Sequence, residues 1–160
     1  MSNQLLETVF GPKLKSTMTL AEAFELLDSR NLIAHGELAE QAVSIDSGVD
    51  QCNKNTPGKD LVNGLQIKYA ATNYSTQSYS GLLKAHISIR NHTETILAVV
   101  TETETRVQYY FVFPYSAYRH LSGSTFTVPF SLMGTPKRAH WSWDYQVADW
   151  AALIARARKG

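Results

Sequence analysis

The sequence predicts an α/β domain: helical periodicity fills its early part, a succession of β-rich apolar runs occupies the middle, and an amphipathic stretch with a basic end closes it. At 160 residues, with 44% hydrophobic and 18% charged residues, the chain has the size and apolar content of one domain, spanning 1 to 160, around one buried core. Two helices are expected first. Thr19, Leu20, Ala21 and Glu22 fit a capping box, and Leu20, Ala23, Phe24 and Leu27 recur at helical spacing, which places one helix at 19 to 30. Leu32, Ile33, Gly36, Ala39, Glu40 and Val43 then share one face of a second, at 31 to 44, where Gly36 is read as a point of close backbone packing.

From 47 to 59 the chain is polar and rich in turn formers, so a loop is expected there. Asp60 should begin a strand that turns through Val62, Asn63 and Gly64, a three-residue hairpin loop in which Gly64 takes the left-handed position, and returns over 65 to 70. The runs 83 to 89, 95 to 101 and 107 to 113 read as the strands of the core sheet. A short helical or irregular stretch is expected at 115 to 121, a strand at 125 to 128, and a closing helix at 145 to 158 with Val147, Trp150, Ala151 and Ile154 on one face. Nothing in the pattern suggests a repeat or a second domain.

Several function classes are disfavoured. No stretch approaches the roughly eighteen consecutive apolar residues of a membrane span, and residues 1 to 8 lack a secretory layout, so a cytoplasmic protein away from membranes is expected. The single cysteine, Cys52, excludes an internal disulfide and a thiolate cluster for zinc. The five histidines show no metal-ligand spacing and read as surface residues, and no P-loop, dinucleotide fingerprint or nucleophile elbow is present. A net charge of +1 excludes a strongly basic whole-molecule field, leaving only a locally concentrated basic face.

The chemistry-bearing pattern lies in the hairpin. If Val62, Asn63 and Gly64 form the loop, Leu61 faces Leu65 and Asp60 faces Gln66, and alternation puts Asp60, Gln66 and Lys68 on one face. Two oxygen donors and an ammonium would converge, which is what metal-assisted phosphodiester hydrolysis needs. A shift by one residue would turn Asp60 away.

Glu37 and Glu40 on a helix, then a polar loop, then Lys59, Asp60, Leu61 and Val62, an Asn-Gly turn, and Leu65, Gln66, Ile67, Lys68 and Tyr69 together resemble the active-site framework of the PD-(D/E)xK, or restriction-endonuclease-like, nucleases. The resemblance covers about a fifth of the chain. It implies a central mixed β-sheet flanked by helices. It makes Asp60 the principal metal ligand, Gln66 the ligand at the usual carboxylate position, the Ile67 carbonyl a further ligand, Lys68 the catalytic lysine and Glu40 the helical carboxylate. The departures are a neutral glutamine in place of a carboxylate and a short interval from Asp60 to Gln66. Asp46 or Asp50 remains an alternative to Asp60, and Glu37 to Glu40.

By resemblance, the expected activity is Mg²⁺-dependent DNA cleavage, with Mn²⁺ as a substitute. The first form is a type II restriction endonuclease acting as a homodimer on duplex DNA, and the second a structure-selective nuclease such as a Holliday junction resolvase. A catalytically silent DNA-binding module with the same fold, or an unrelated ligand-binding α+β protein, is the reading from other classes.

Lys84, Lys137 and Arg138 are the candidate DNA-contacting cations. Residues 136 to 143 mix basic and aromatic side chains that either contact phosphate and stack on a base or, the favoured reading, pack Trp141 and Trp143 on the sheet. The polar stretch 69 to 79 has a composition suited to hydrogen-bonding phosphates or base edges.

Overall fold

The computed structural model describes residues 35–53, 59–72, 82–89 and 95–160. The helix expected at 19 to 30, residues 31 to 34 of the second helix and most of the polar stretch 69 to 79 lie outside the described residues. Helix α1 (His35–Ser47) buries Leu38, Ala39, Ala42 and Val43, a stripe at helical spacing, and runs three residues beyond the expected end. It stops at Gly48, whose φ of 73° suits a residue without Cβ and whose N–H donates to the Ser44 carbonyl at 2.9 Å. Among the described residues Gly36 has no close neighbour: a Cβ placed there meets nothing within 4 Å.

Four strands form a mixed sheet in the order β1 (Leu65–Ala71), β3 (Ile96–Glu102), β4 (Gln108–Phe113), β6 (Gln146–Val147). β1 runs parallel to β3, and the other pairings are antiparallel. A parallel neighbour requires the chain to cross over between the two strands. Part of that crossover is β2 (Leu82–Ser88), and here the structure corrects the sequence reading. β2 is not a strand of the central sheet; it pairs antiparallel with β5 (Thr125–Ser131) in a separate two-stranded sheet.

Alternation along the strands explains the layering. Leu65, Ile67, Ala98 and Val112 face α1 and the closing helix α3 (Trp150–Lys159), packing with Leu153, Ile154 and Ala157. Leu97, Val99, Phe111 and Phe113 face the other way, onto Leu83, Ala85 and Ile87 of β2 and Phe126, Val128 and Phe130 of β5. β3 is therefore buried on both faces, which is why it reads as a nearly continuous apolar run. Among the described residues, helices cover one face of the central sheet; the other is covered by the β2–β5 sheet, with α2 (Tyr115–Tyr118) and a 3-10 helix (Trp141–Tyr145) contributing to the same core. The fold is thus mixed α/β with a mixed central sheet.

The second core is aromatic. Trp143 meets Phe111 edge-on at 5.1 Å and Phe130 at 5.2 Å, and Phe113 meets Phe126 at 4.9 Å, geometries that add about 0.5–1.5 kcal/mol per pair beyond area burial. The buried indole N–H of Trp143 donates to the Pro129 carbonyl at 3.1 Å. Tyr145, expected to begin the closing helix, instead ends the 3-10 helix. α3 begins only after Asp149, whose carboxylate accepts from the Ala152 N–H at 2.8 Å as an N-cap. Among the described residues no helix is long and apolar enough to cross a membrane.

His140 caps the 3-10 helix: its Nδ1 accepts from the Ser142 N–H at 3.3 Å and lies 2.8 Å from the Ser142 hydroxyl. Burial, and then the charge of Lys84, hold its pKa below the ordinary histidine value. The unfolded chain therefore takes up this proton first as pH falls. The stability contributed by neutral His140 is complete above about pH 6.5 and is lost as pH drops through the lower folded-state value. A His140→Asn variant, which keeps a capping acceptor, should lose less stability than the native chain between pH 7 and pH 5 in urea titrations; equal losses would contradict this.

Candidate active site

The segment from Lys59 to Lys68 is built by its apolar anchors. Leu61 and Leu65 are buried on either side of the turn, and the N–H groups of both Asp60 and Leu61 donate to the Leu65 carbonyl, at 2.9 and 3.1 Å. Gly64 closes the turn with an N–H to the Leu61 carbonyl at 2.9 Å and a φ of 93°. The three-residue loop is present as expected, but Asp60 does not begin a strand. It lies at a bend, and the ladder here is the isolated bridge Gln51 to Leu61, supported by Cys52 N–H to the Asp60 carbonyl (2.7 Å) and Val62 N–H to the Asp50 carbonyl (2.9 Å).

From that bend the Asp60 carboxylate reaches β1 directly. Its Oδ2 accepts from the Gln66 side-chain amide at 2.7 Å and from the Ile67 backbone N–H at 2.6 Å, both short, charge-assisted bonds. The Ile67 N–H points away from β3. In a strand a residue's carbonyl lies on the same side as its N–H, so the Ile67 carbonyl is directed to the same edge. Asp60 fixes the Gln66 amide as well, because a carboxylate oxygen can only accept and so identifies the facing atom as nitrogen. The amide oxygen, Oε1, is left buried with no hydrogen-bond partner among the described residues, in a side chain whose residue is 6% exposed. An uncompensated buried acceptor costs about 1–3 kcal/mol.

Around Asp60 opens a polar cavity of about 410 Å³. Glu37 and Glu40 reach it from one flank of α1, and Gln51, Cys52 and Lys59 line it from the loop. Glu40 is half-buried beside the apolar stripe of its helix; Glu37, three residues earlier, is exposed on the same wall. The two glutamates that the sequence left as alternatives thus share one wall. Lys68 stands on the face of β1 that Gln66 occupies, half-buried and in register with Val99. Neither Gln66 nor Lys68 lines the cavity, so Asp60 is the residue common to the cavity and to the strand.

The alternatives to Asp60 are placed otherwise. The Asp46 carboxylate accepts from the Trp150 indole N–H at 2.8 Å, tying α1 to α3. Asp50 is exposed and presents its carbonyl to the turn. Among the described residues no group of three or more His, Cys, Asp and Glu side chains is arranged to hold a metal ion. The set that the resemblance implies, Asp60, Gln66 and Ile67, would be of another kind, joining one carboxylate to an amide oxygen and a backbone carbonyl. The sequence gives Lys59, Gln51 and Cys52 no role in the site, since no spacing pattern marks loop residues that meet only when 50–52 fold against 60–62.

A second support comes from α3: the Asn63 side-chain amide donates to the Ala157 carbonyl at 2.7 Å, and its Oδ1 accepts from the Leu65 N–H at 3.3 Å. The turn is held from both of its sides. No family model matches this chain, and no curated protein matches it.

Gly64 tests how far the site depends on its turn. A Cβ there meets nothing within 4 Å among the described residues, so Gly64→Ala isolates backbone strain from crowding. The substitution should cost about 1–2 kcal/mol, or roughly 2–8 °C in Tm, measured by thermal unfolding. An unchanged Tm would show that the left-handed turn is not a constraint on the native chain.

Proposed function

We propose that this chain is a metal-dependent nuclease hydrolysing phosphodiester bonds in DNA, with Asp60, the Gln66 amide oxygen and the Ile67 carbonyl holding Mg²⁺ or Mn²⁺. The observation that carries the reading is the buried, unpartnered Gln66 Oε1, set beside the carboxylate that orients it. A hard cation takes oxygen donors of these kinds, carboxylate, amide and backbone carbonyl, and would satisfy the orphaned acceptor. The resemblance of this segment to the PD-(D/E)xK nucleases supports the same assignment.

When bound, the cation supplies Lewis acidity to a phosphate oxygen and to a nearby water. The residues supply position and charge. Asp60 holds Gln66 and the edge of β1 in one geometry. Lys68 brings a positive group to the face that Gln66 occupies, where it stabilises negative charge developing on the phosphate. Glu40, with Glu37, lines the approach to Asp60 and orients water or a second cation. Because Gln66 is neutral, the site holds its cation less tightly than a carboxylate pair would. A duplex cutter of this size works as a homodimer, one site per strand, as in a type II restriction endonuclease. A junction-selective nuclease uses the same dimeric logic.

The test is cleavage of plasmid and phage DNA in Mg²⁺ or Mn²⁺. The native chain should cut, with discrete bands if it is sequence-specific and preference for branched DNA if it is a resolvase. Lys68→Ala and Asp60→Ala should each lower the rate by roughly 10²–10³-fold, as removal of a transition-state charge partner does. Gln66→Glu should lower the metal concentration needed for half-maximal rate and reduce stability in EDTA, where two carboxylates would face each other. No cutting by the native chain in either metal, together with metal-independent DNA binding, would replace the enzyme with a silent DNA-binding module.

A further inference from the structure

The outer face of the β2–β5 sheet has no part in the site above. Leu83, Ala85 and Ile87 point into the core, so Lys84, His86 and Ser88 point out. Lys84 lies opposite Pro129, and His86 opposite Thr127, in the antiparallel register. The chain after β5 folds back beside this face: Phe130 bridges Pro136, and the Lys137 N–H donates to the Pro129 carbonyl at 3.1 Å. The result is an open groove of about 540 Å³ with Leu82, Pro129 and Ala139 on its floor and Lys84, Lys137 and His140 around it.

Among the described residues lining that groove there is no Asp or Glu. Arg138, next in sequence to Lys137, does not line the groove: it donates to Gln146 Oε1 at 2.6 Å and its guanidinium carbon lies 5.1 Å from the Trp143 ring. Lys84 lies close enough to His140 to lower its pKa. Of the three cations that the sequence offered separately, Lys84 and Lys137 therefore meet at one groove, whereas Arg138 turns to Gln146 and Trp143. With a whole-chain charge of only +1, this is a local concentration of positive charge, while Glu37, Glu40 and Asp60 gather around the cavity.

We propose that this groove binds the sugar–phosphate backbone of duplex DNA, separately from the cavity at Asp60. The proposal rests on the nuclease reading for the identity of its ligand. An apolar floor flanked by ammonium groups matches a deoxyribose carbon face flanked by phosphates, and charge complementarity selects a polyanion. Such contacts position a duplex without reading its bases. Each phosphate neutralised by a lysine releases about one counterion, so the lysines act on the salt dependence as well as on affinity.

The test is fluorescence anisotropy of a labelled duplex across a potassium chloride series in EDTA, where metal-dependent hydrolysis does not run, with Mg²⁺ cleavage measured in parallel. A Lys84→Ala/Lys137→Ala double variant should bind about tenfold more weakly near 0.1 M salt, with a log–log salt slope shallower by about 2. Arg156→Ala, on the exposed side of α3, should bind as the native chain does, and thermal melting should show all three proteins folded. Native binding and native slope in the double variant would overturn the groove while leaving the nuclease intact. A native chain that neither binds nor cuts DNA would overturn both, and one that cuts but whose double variant binds and cuts equally would remove the groove alone.

Discussion

One carboxylate oxygen organises the candidate site: Asp60 Oδ2 accepts from the side chain of Gln66 and the backbone of Ile67 at once. The two donors lie on different sides of the strand, one on its face and one on its edge, so a single anion can meet both only from a bend placed beside β1. The bend is supplied by the Val62 to Gly64 turn, and the turn is held in register by burial of Leu61 and Leu65. Fully burying an apolar side chain of that size contributes about 1.5–3 kcal/mol, more than a typical net hydrogen bond. The apolar anchors thus set the register, and the polar contacts use it.

The wider architecture makes that edge of β1 available. Among the described strands β1 pairs with β3 alone, and β2, the strand between them in sequence, leaves to join β5. The parallel pairing and the departure of β2 are the same topological fact. α1 packs on the face that carries Leu65 and Ile67, which brings the flank bearing Glu37 and Glu40 to the cavity around Asp60. α3 is tied to both parts, through Trp150 to Asp46, through Arg158 to the carbonyls of Asp46 and Ser47, and through Ala157 to Asn63. The site rests on a helix pair and a strand rather than on a loop alone, which favours a fixed geometry.

What could be read from sequence was local. The Gly64 turn, the strands at 65–71, 96–102 and 108–113 and the body of α1 each leave a periodic or turn signal within a few residues. So does the meeting of Asp60 with Gln66, six positions apart across a tight turn. Partner choice at long range left no such trace. β2 carries the same apolar alternation whether it joins the central sheet or β5, and the inward set of β5 continues through Phe130, past the end expected at Val128. Pro129, which discourages a strand assignment, is accommodated because its carbonyl, and with it the nitrogen that carries no hydrogen, faces away from β2 toward residues 136–137, where Phe130 makes only an isolated bridge. Helical periodicity reaches back to Tyr145, which packs with Phe113 and Trp141 on the aromatic core, yet the helix starts only where Asp149 can cap it. The cavity was invisible because Lys59, Gln51 and Cys52 are brought to Glu40 by tertiary packing.

The most direct test of the metal assignment is a titration of the ¹⁵N-labelled chain with Mn²⁺, followed by the amide resonances. Paramagnetic broadening should appear first, at substoichiometric Mn²⁺, at the Gln66 side-chain amide and the Ile67 backbone amide, and Mg²⁺ should reverse it. If those two signals stay sharp while others broaden, or if nothing broadens, Asp60 and Gln66 form a structural hydrogen bond and not a metal site.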